Sequence, residues 1–278
     1  LELSGIGHPA LLNAQGIETI SALPGVGENL QDHFVIGNRY RMKPGSPSVN
    51  QQSRGLAMIG EVFKYLIQRK GLLTLSAAHV AAFIKTRPEL ATPDVQYHIL
   101  PATMDLQKMT ETGDMELEKH PGITLAPCQL RPESRGSVHI KSAQHDAHPA
   151  IRPNYLHDPL DQQTAVAGLR WARDLAAQPA LAQYIEHELE PGEALQSDDE
   201  LLEFARETGG TIYHPVGTCK MGPDGDTMAV GDDQLRVRGV EGLRVVDASV
   251  MPRLVSGNTN APTIAIAEKA SDMIRVAA

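Results

Sequence analysis

The chain has 278 residues, 41% apolar, 4% aromatic and 21% charged, with a formal net charge of -9 at pH 7. That balance supports a sizeable core and excludes collagen-like, coiled-coil and wholly disordered classes. No run reaches the ~18 uninterrupted apolar residues of a membrane-spanning helix, and Lys and Arg are scattered through an acidic chain, so neither an integral membrane segment nor a nucleic-acid partner is expected.

Residues 1–36 are interrupted by Gly5, Gly7, Pro9, Gly16, Pro24, Gly25 and Gly27 and read as loop around one short helix, 8–15, with Pro9 in its first turn and Gly16 past its end. Residues 37–53 are polar and turn-rich. Next comes an amphipathic pattern over 55–70, through Leu56, Ile59, Val62, Phe63, Leu66 and Ile67, with Gly71 as stop signal. The runs HVAAFIKT (79–86), PDVQYHIL (93–100), GITLAPCQL (122–130) and GSVHIKS (136–142), set between turns, predict an antiparallel sheet domain. Helices are predicted over 161–177 and 198–206, the latter opened by a Ser197/Glu200 capping box. LRVRG (235–239) and GLRVVDA (242–248) read as strands, and 261–276 as a helix with Asn260 as N-cap and Pro262 in its first turn.

Gly25-Val26-Gly27 lacks the third glycine of a dinucleotide loop, Leu30 standing in its place, and no buried strand precedes it, so it reads as a turn. No Walker loop, HExxH or GxSxG occurs. His145 and His148 are spaced for a metal but have no third ligand nearby, and Cys128 and Cys219 lack metal spacing and suit a reducing compartment. His214 differs, because the glycines and proline of GGTIYHPVGTCKMGP hold it in irregular backbone; chemistry there needs a second polar group aimed at the same point. Asn258 and Asn260 stand at the mouth of the last helix. Asn260 is explained as a cap, which leaves Asn258 as the better partner for a substrate oxygen.

SGIG (4–7), LPGVGENLQDH (23–33), PESRGSVHIKS (132–142), PNYLHDPLD (153–161), YHPVGTCKMG (213–222) and GLRVVDASVMP followed by GNTNAP occur in one order over nearly the whole chain. In that order they resemble the C-terminal half of the glucose-methanol-choline (GMC) oxidoreductases, nearest their choline-dehydrogenase-like branch. The resemblance implies an α+β fold: an antiparallel-sheet substrate domain with packing helices, joined to C-terminal strand and helix elements of an FAD-binding α/β domain. The glycine-rich βαβ unit that opens such proteins is not in this sequence, which begins at Leu1, and the chain is expected to be a fragment. The segments implied are 1–36 for the FAD-domain connection, 37–222 for substrate binding and 223–278 for the return into the FAD domain.

By the same resemblance His214 matches the family's active-site histidine and Asn258 its second active-site position, His or Asn among members, with Asn260 as the fallback. Asp247, Ala248, Gly257, Asn258, Thr259, Asn260 and Pro262 are implied to line FAD, and SGIG (4–7) and Asn29 to His33 to approach the cofactor side. The expected reaction is oxidation of an alcohol to a carbonyl, with His214 as base and hydride passing to flavin N5. Electrons would then go to a quinone-like carrier or O₂, in a cytoplasmic protein that can meet a membrane through that acceptor. An FAD-containing hydroxynitrile lyase and a non-catalytic fragment are the alternatives. Choline is one substrate option among many, since neither an aromatic cage nor a carboxylate for a quaternary ammonium is evident.

Overall fold

The computed structural model describes residues 1–76, 78–104 and 116–277. The chain forms two compact units, each assembled from separated stretches: 1–34, 130–161 and 211–278 in one, 35–129 and 162–210 in the other. This geometric division differs from the three sequence segments, because 130–161 and 211–222 fold with the N-terminal stretch. Backbone bridges explain why: Leu30 pairs with Gly136 and Gln31 with Val216.

The unit built on 35–129 and 162–210 is organised by five strands of one antiparallel sheet: β1 Asn38–Met42, β2 Val80–Ile84, β3 Val95–Leu100, β4 Gly122–Gln129 and β5 Ile185–Glu190. Their spatial order is β2-β3-β4-β1-β5. The three expected strands 79–86, 93–100 and 122–130 are β2, β3 and β4. Tyr40, Met42, Val95, Tyr97, Ile123 and Leu125 form the core with Ala172 and Ala176 of the helix Pro159–Ala176. That helix lies close to the sheet at Gly168, where a Cβ would stand 2.9 Å from Cβ of Pro127, and the Gly168 carbonyl accepts a hydrogen bond from the Tyr97 hydroxyl at 2.5 Å.

Two further strands, β1 and β5, lie outside the runs expected from the sequence. β1 reads NRYRM and β5 reads IEHELE, and facing charges cancel between them: Arg41 pairs with Glu186 at 3.3 Å and Arg39 with Glu190, while Arg173 of the helix pairs with Glu188 at 3.0 Å. The helices Pro9–Ala14, Gly55–Gln68 and Asp198–Thr208 form near their expected bounds, the last with the full Ser197/Glu200 capping box. The helix from 55 stops before Gly71, at Arg69, which adopts the left-handed conformation with φ 54°.

In the other unit GSVHIKS contributes a short strand, Ser137–His139, paired with Ala150–Arg152 and not with the main sheet. LRVRG and GLRVVDA are not strands: they meet in an isolated Arg236 to Arg244 bridge, because Gly239 and Gly242, both at φ 71°, turn the chain sharply between them. Small cores form around Ile6, Val26, Val230 and Val237, and around Leu235, Val250 and Ala270 of the terminal helix Asn260–Ala277. Among the polar ties, His139 sits between Glu2 at 2.7 Å and Glu28 at 3.0 Å. Burial opposes its imidazolium, but the bonds to Glu2 and Glu28 outweigh that and raise its pKa.

Candidate functional site

The site lies wholly in the unit containing the chain's first residues and grows from two backbone stretches, 29–33 and 211–217. Asn29 enters with φ 63° and Tyr213 with φ 64°, so each stretch is kinked just before residues it presents. Gly217, at φ 96°, permits their close approach: a Cβ there would lie 2.4 Å from the Asn29 carbonyl oxygen. The Gln31 side chain joins a third stretch, its amide donating to the Pro252 carbonyl at 3.2 Å and its Oε1 accepting the Leu254 N–H at 3.1 Å.

Asp32 is buried and organises the histidine loop. Its Oδ1 accepts the backbone N–H of His214 at 2.9 Å, while Oδ2 accepts the hydroxyls of Tyr155, at 2.5 Å, and Thr211. Thr211 Oγ1 in turn accepts the Tyr213 N–H at 2.8 Å. The Tyr155 ring packs against Phe34 with centroids 5.0 Å apart, and burial followed by the bond to Asp32 raises the phenol's pKa. A carboxylate that has lost water to three donors holds the loop more firmly than a neutral acceptor would.

Above this anchor His33, His214 and Asn258 form a hydrogen-bonded run. His33 Nδ1 lies 3.0 Å from His214 Nδ1, and His214 Nε2 lies 3.2 Å from the Asn258 side-chain nitrogen. His33 Nε2 is 3.2 Å from the Leu130 carbonyl oxygen. A carbonyl only accepts, so His33 carries its proton on Nε2. His33 is 1% exposed and burial lowers its pKa to about 4, so at neutral pH it holds one proton and its Nδ1 is an acceptor. His214 Nδ1 must then be the donor. Burial also lowers the His214 pKa, partly opposed by Asp32, which leaves Nε2 with its lone pair turned to the Asn258 amide. The arrangement offers a base and a hydrogen-bond donor side by side, as an inserted hydroxyl requires: it donates to Nε2 and accepts from the amide.

The two residues paired from sequence, His214 and Asn258, are therefore in contact. His33, Asp32 and Tyr155 complete the group; the resemblance carries them inside LPGVGENLQDH and PNYLHDPLD, but nothing in either phrase tells that they meet. Of the other positions, Asn260 opens the terminal helix one residue before the expected start, and Thr259, buried, accepts the Thr263 hydroxyl on its carbonyl at 2.7 Å. Asp247 caps the turn Ala248–Val250, accepting the Ser249 N–H at 2.7 Å. Gly257 donates its N–H to the Val255 carbonyl at 2.9 Å, and Pro262 lies in the first helical turn. His145 and His148 stand in an exposed turn, away from this group.

Residues 132–267 match the family model described as GMC oxidoreductase. The chain is 43% identical over 278 residues to the alcohol dehydrogenase [acceptor] of Pseudomonas putida, covering 99% of this chain and 48% of that protein. It is 42% identical over 276 residues to an oxygen-dependent choline dehydrogenase of Klebsiella pneumoniae subsp. pneumoniae, again covering 99% and 48%. Among solved structures, an Aspergillus oryzae RIB40 formate oxidase variant studied for FAD modification superposes with a TM-score of 0.87 at 25% identity, over 99% of this chain and 52% of that one. The chain thus spans about half the length of the curated relatives it matches. Through this C-terminal domain, the chain belongs to the GMC oxidoreductase family.

Proposed function

We propose that this chain is the alcohol-activating part of an FAD-dependent oxidoreductase acting on CH–OH donors and yielding an aldehyde or ketone. The observation that carries the reading is the run from the Leu130 carbonyl through His33 and His214 to Asn258, which ends in a lone pair beside an amide donor. His214 Nε2 takes the hydroxyl proton while the Asn258 amide holds the oxygen as negative charge grows on it. His33 fixes the tautomer, and Asp32 fixes the backbone from which His214 projects.

FAD, when bound, supplies the ring that accepts the hydride. The chain's residues suit such a ring: the terminal helix has no acidic residue in its first turn, and Asn258 and Asn260 are exposed at its mouth. Its positive end favours an electron-rich partner by ~0.3–1 kcal/mol. Asp247, Ala248, Gly257, Thr259 and Pro262 are the further residues proposed to line FAD. The electrons pass on to an acceptor, a quinone-like carrier or O₂; the Pseudomonas putida relative is named for an acceptor and the Klebsiella pneumoniae one for oxygen. Because Gly25-Val26-Gly27 is no phosphate loop, these 278 residues by themselves are expected to bind FAD weakly and to be inactive.

The test is stopped-flow reduction of the full-length flavoprotein by an alcohol. His214→Ala should slow flavin bleaching by roughly 10²- to 10⁴-fold, with the visible spectrum of bound flavin unchanged before mixing. Asn258→Ala should slow it by about 10²-fold. An unaltered rate in His214→Ala removes the base from the reaction.

A further inference from the structure

The helix Gly55–Gln68 carries its apolar stripe on the outside. Leu56 is 86% exposed, Phe63 60% and Ile67 76%, with Ile59 and Leu66 on the same face, and no residue of the helix is buried. The half-buried side is the mixed one, Met58, Glu61, Val62 and Tyr65. This orientation is fastened, since the Glu61 carboxylate accepts the Leu72 N–H at 2.6 Å from the turn that follows the helix. An amphipathic helix that only packed on its own sheet would be turned the other way.

Charge is segregated around this face. Between residues 54 and 87 six basic residues stand against one acidic one, in a chain whose net charge is -9; Arg54, Lys64 and Arg87 lie 3.8, 3.4 and 3.6 Å from Glu116, Glu61 and Glu89, so the excess of positive charge centres on Arg69 and Lys70 at the end of the helix. Lys64, Arg69 and Lys70 are exposed beside Phe63, Leu66 and Ile67, and the Arg69 guanidinium lies 5.2 Å from the Tyr65 ring centroid. The helix has 14 residues, hence a length of ~21 Å, too short to cross a ~30 Å hydrocarbon layer but long enough to lie in its surface. Symmetric pairing of two copies through this face would bring two cationic rims together. An aliphatic and aromatic stripe bordered by Lys and Arg fits the boundary between anionic headgroups and acyl chains.

We infer that the helix Gly55–Gln68 docks this protein on an anionic lipid surface, inserting Phe63, Leu66 and Ile67 among the acyl chains with Lys64, Arg69 and Lys70 on the headgroups. The inference does not rest on the catalytic reading.

The test is flotation of the full-length flavoprotein with phosphatidylcholine vesicles, with and without phosphatidylserine. Binding is expected with phosphatidylserine, weakened by salt. It should fall about tenfold or more in Leu66→Glu and in the triple variant Lys64→Glu, Arg69→Glu, Lys70→Glu, while circular dichroism is unchanged. A second readout places an indole on the stripe by Phe63→Trp and subtracts the parent spectrum, where the difference emission should shift to the blue only on adding anionic vesicles. Absence of flotation with either vesicle overturns the proposal. So does emission already blue without lipid, which means polypeptide covers the face, or concentration-dependent self-association lost in Leu66→Glu without vesicle binding, which means a second copy does.

Discussion

His33 contributes to the site through protonation state as much as through position. Its Nδ1 can accept from His214 only while the buried ring is neutral, and burial holds its pKa near about 4 against an ordinary 6.5. An unfolded chain takes up this proton near pH 6.5 and the folded chain does not. The contribution of His33 to stability is therefore complete above pH 6.5 and is lost as pH falls toward 4, by about 3 kcal/mol in total. Thermal melts from pH 7.5 to 4 should show that loss in the parent protein and a shallower pH dependence in His33→Gln.

In turnover, His33→Leu removes the acceptor for His214 Nδ1 and should cut kcat/KM about tenfold or more while shifting its acidic limb. His33→Gln, which can accept and donate in the same places, should recover most of the rate with the parent pH profile. Equal loss in both variants would leave His33 with a packing role only. From the sequence, His214 and Asn258 were legible as a pair through the family motifs. The His33 contact was not, because it spans 181 residues and depends on the left-handed kinks at Asn29 and Tyr213. No periodicity signals such kinks in non-glycine residues.

At the level of elements, legibility followed local chemistry. The helix Asp198–Thr208 announces itself through Ser197 and Glu200, and both halves of the capping box form: Glu200 N–H donates to Ser197 Oγ at 3.3 Å and Ser197 N–H to the Glu200 carboxylate at 2.9 Å. Ser197→Ala should lower stability by about 1 kcal/mol, measured by urea denaturation. By contrast β1 and β5 hide their nature, because each supplies charges that make sense only against the other strand and the neighbouring helix. Tyr40 and Met42 do alternate with Arg39 and Arg41, but a period carried over five residues does not stand out beside a polar, turn-rich stretch, and the charges find their partners only across the sheet. LRVRG and GLRVVDA fail in the opposite sense: their apolar alternation is real, but glycine turns leave room for one bridge.

Over the whole molecule, chain order and spatial order part company. The candidate site draws on residues 32–33, 155, 211–214 and 258, all in a unit built from three separated stretches. The segments that the resemblance implies divide the sequence at 36 and 222, whereas the fold interleaves its stretches through the Leu30 to Gly136 and Gln31 to Val216 bridges. Residues 37–222 expressed alone would leave those partners unmatched. They should therefore show collapsed amide dispersion in NMR for 130–161 and 211–222, with near-UV circular dichroism weaker than that of the whole chain. Fully dispersed spectra would mean that those stretches fold without residues 1–36.

The hydrogen-bond run at the site is also a cul-de-sac for protons. A proton received at His214 Nε2 could be handed inward through Nδ1 to His33, yet beyond His33 stands the Leu130 carbonyl, which cannot accept a transferred proton at any physiological pH. On the proposed reading, the imidazolium must discharge on the side from which it was loaded, past the exposed Asn258. Departure of the carbonyl product and release of the proton then share one exit, so the solvent isotope effect should appear in the steps that empty the site as well as in those that fill it.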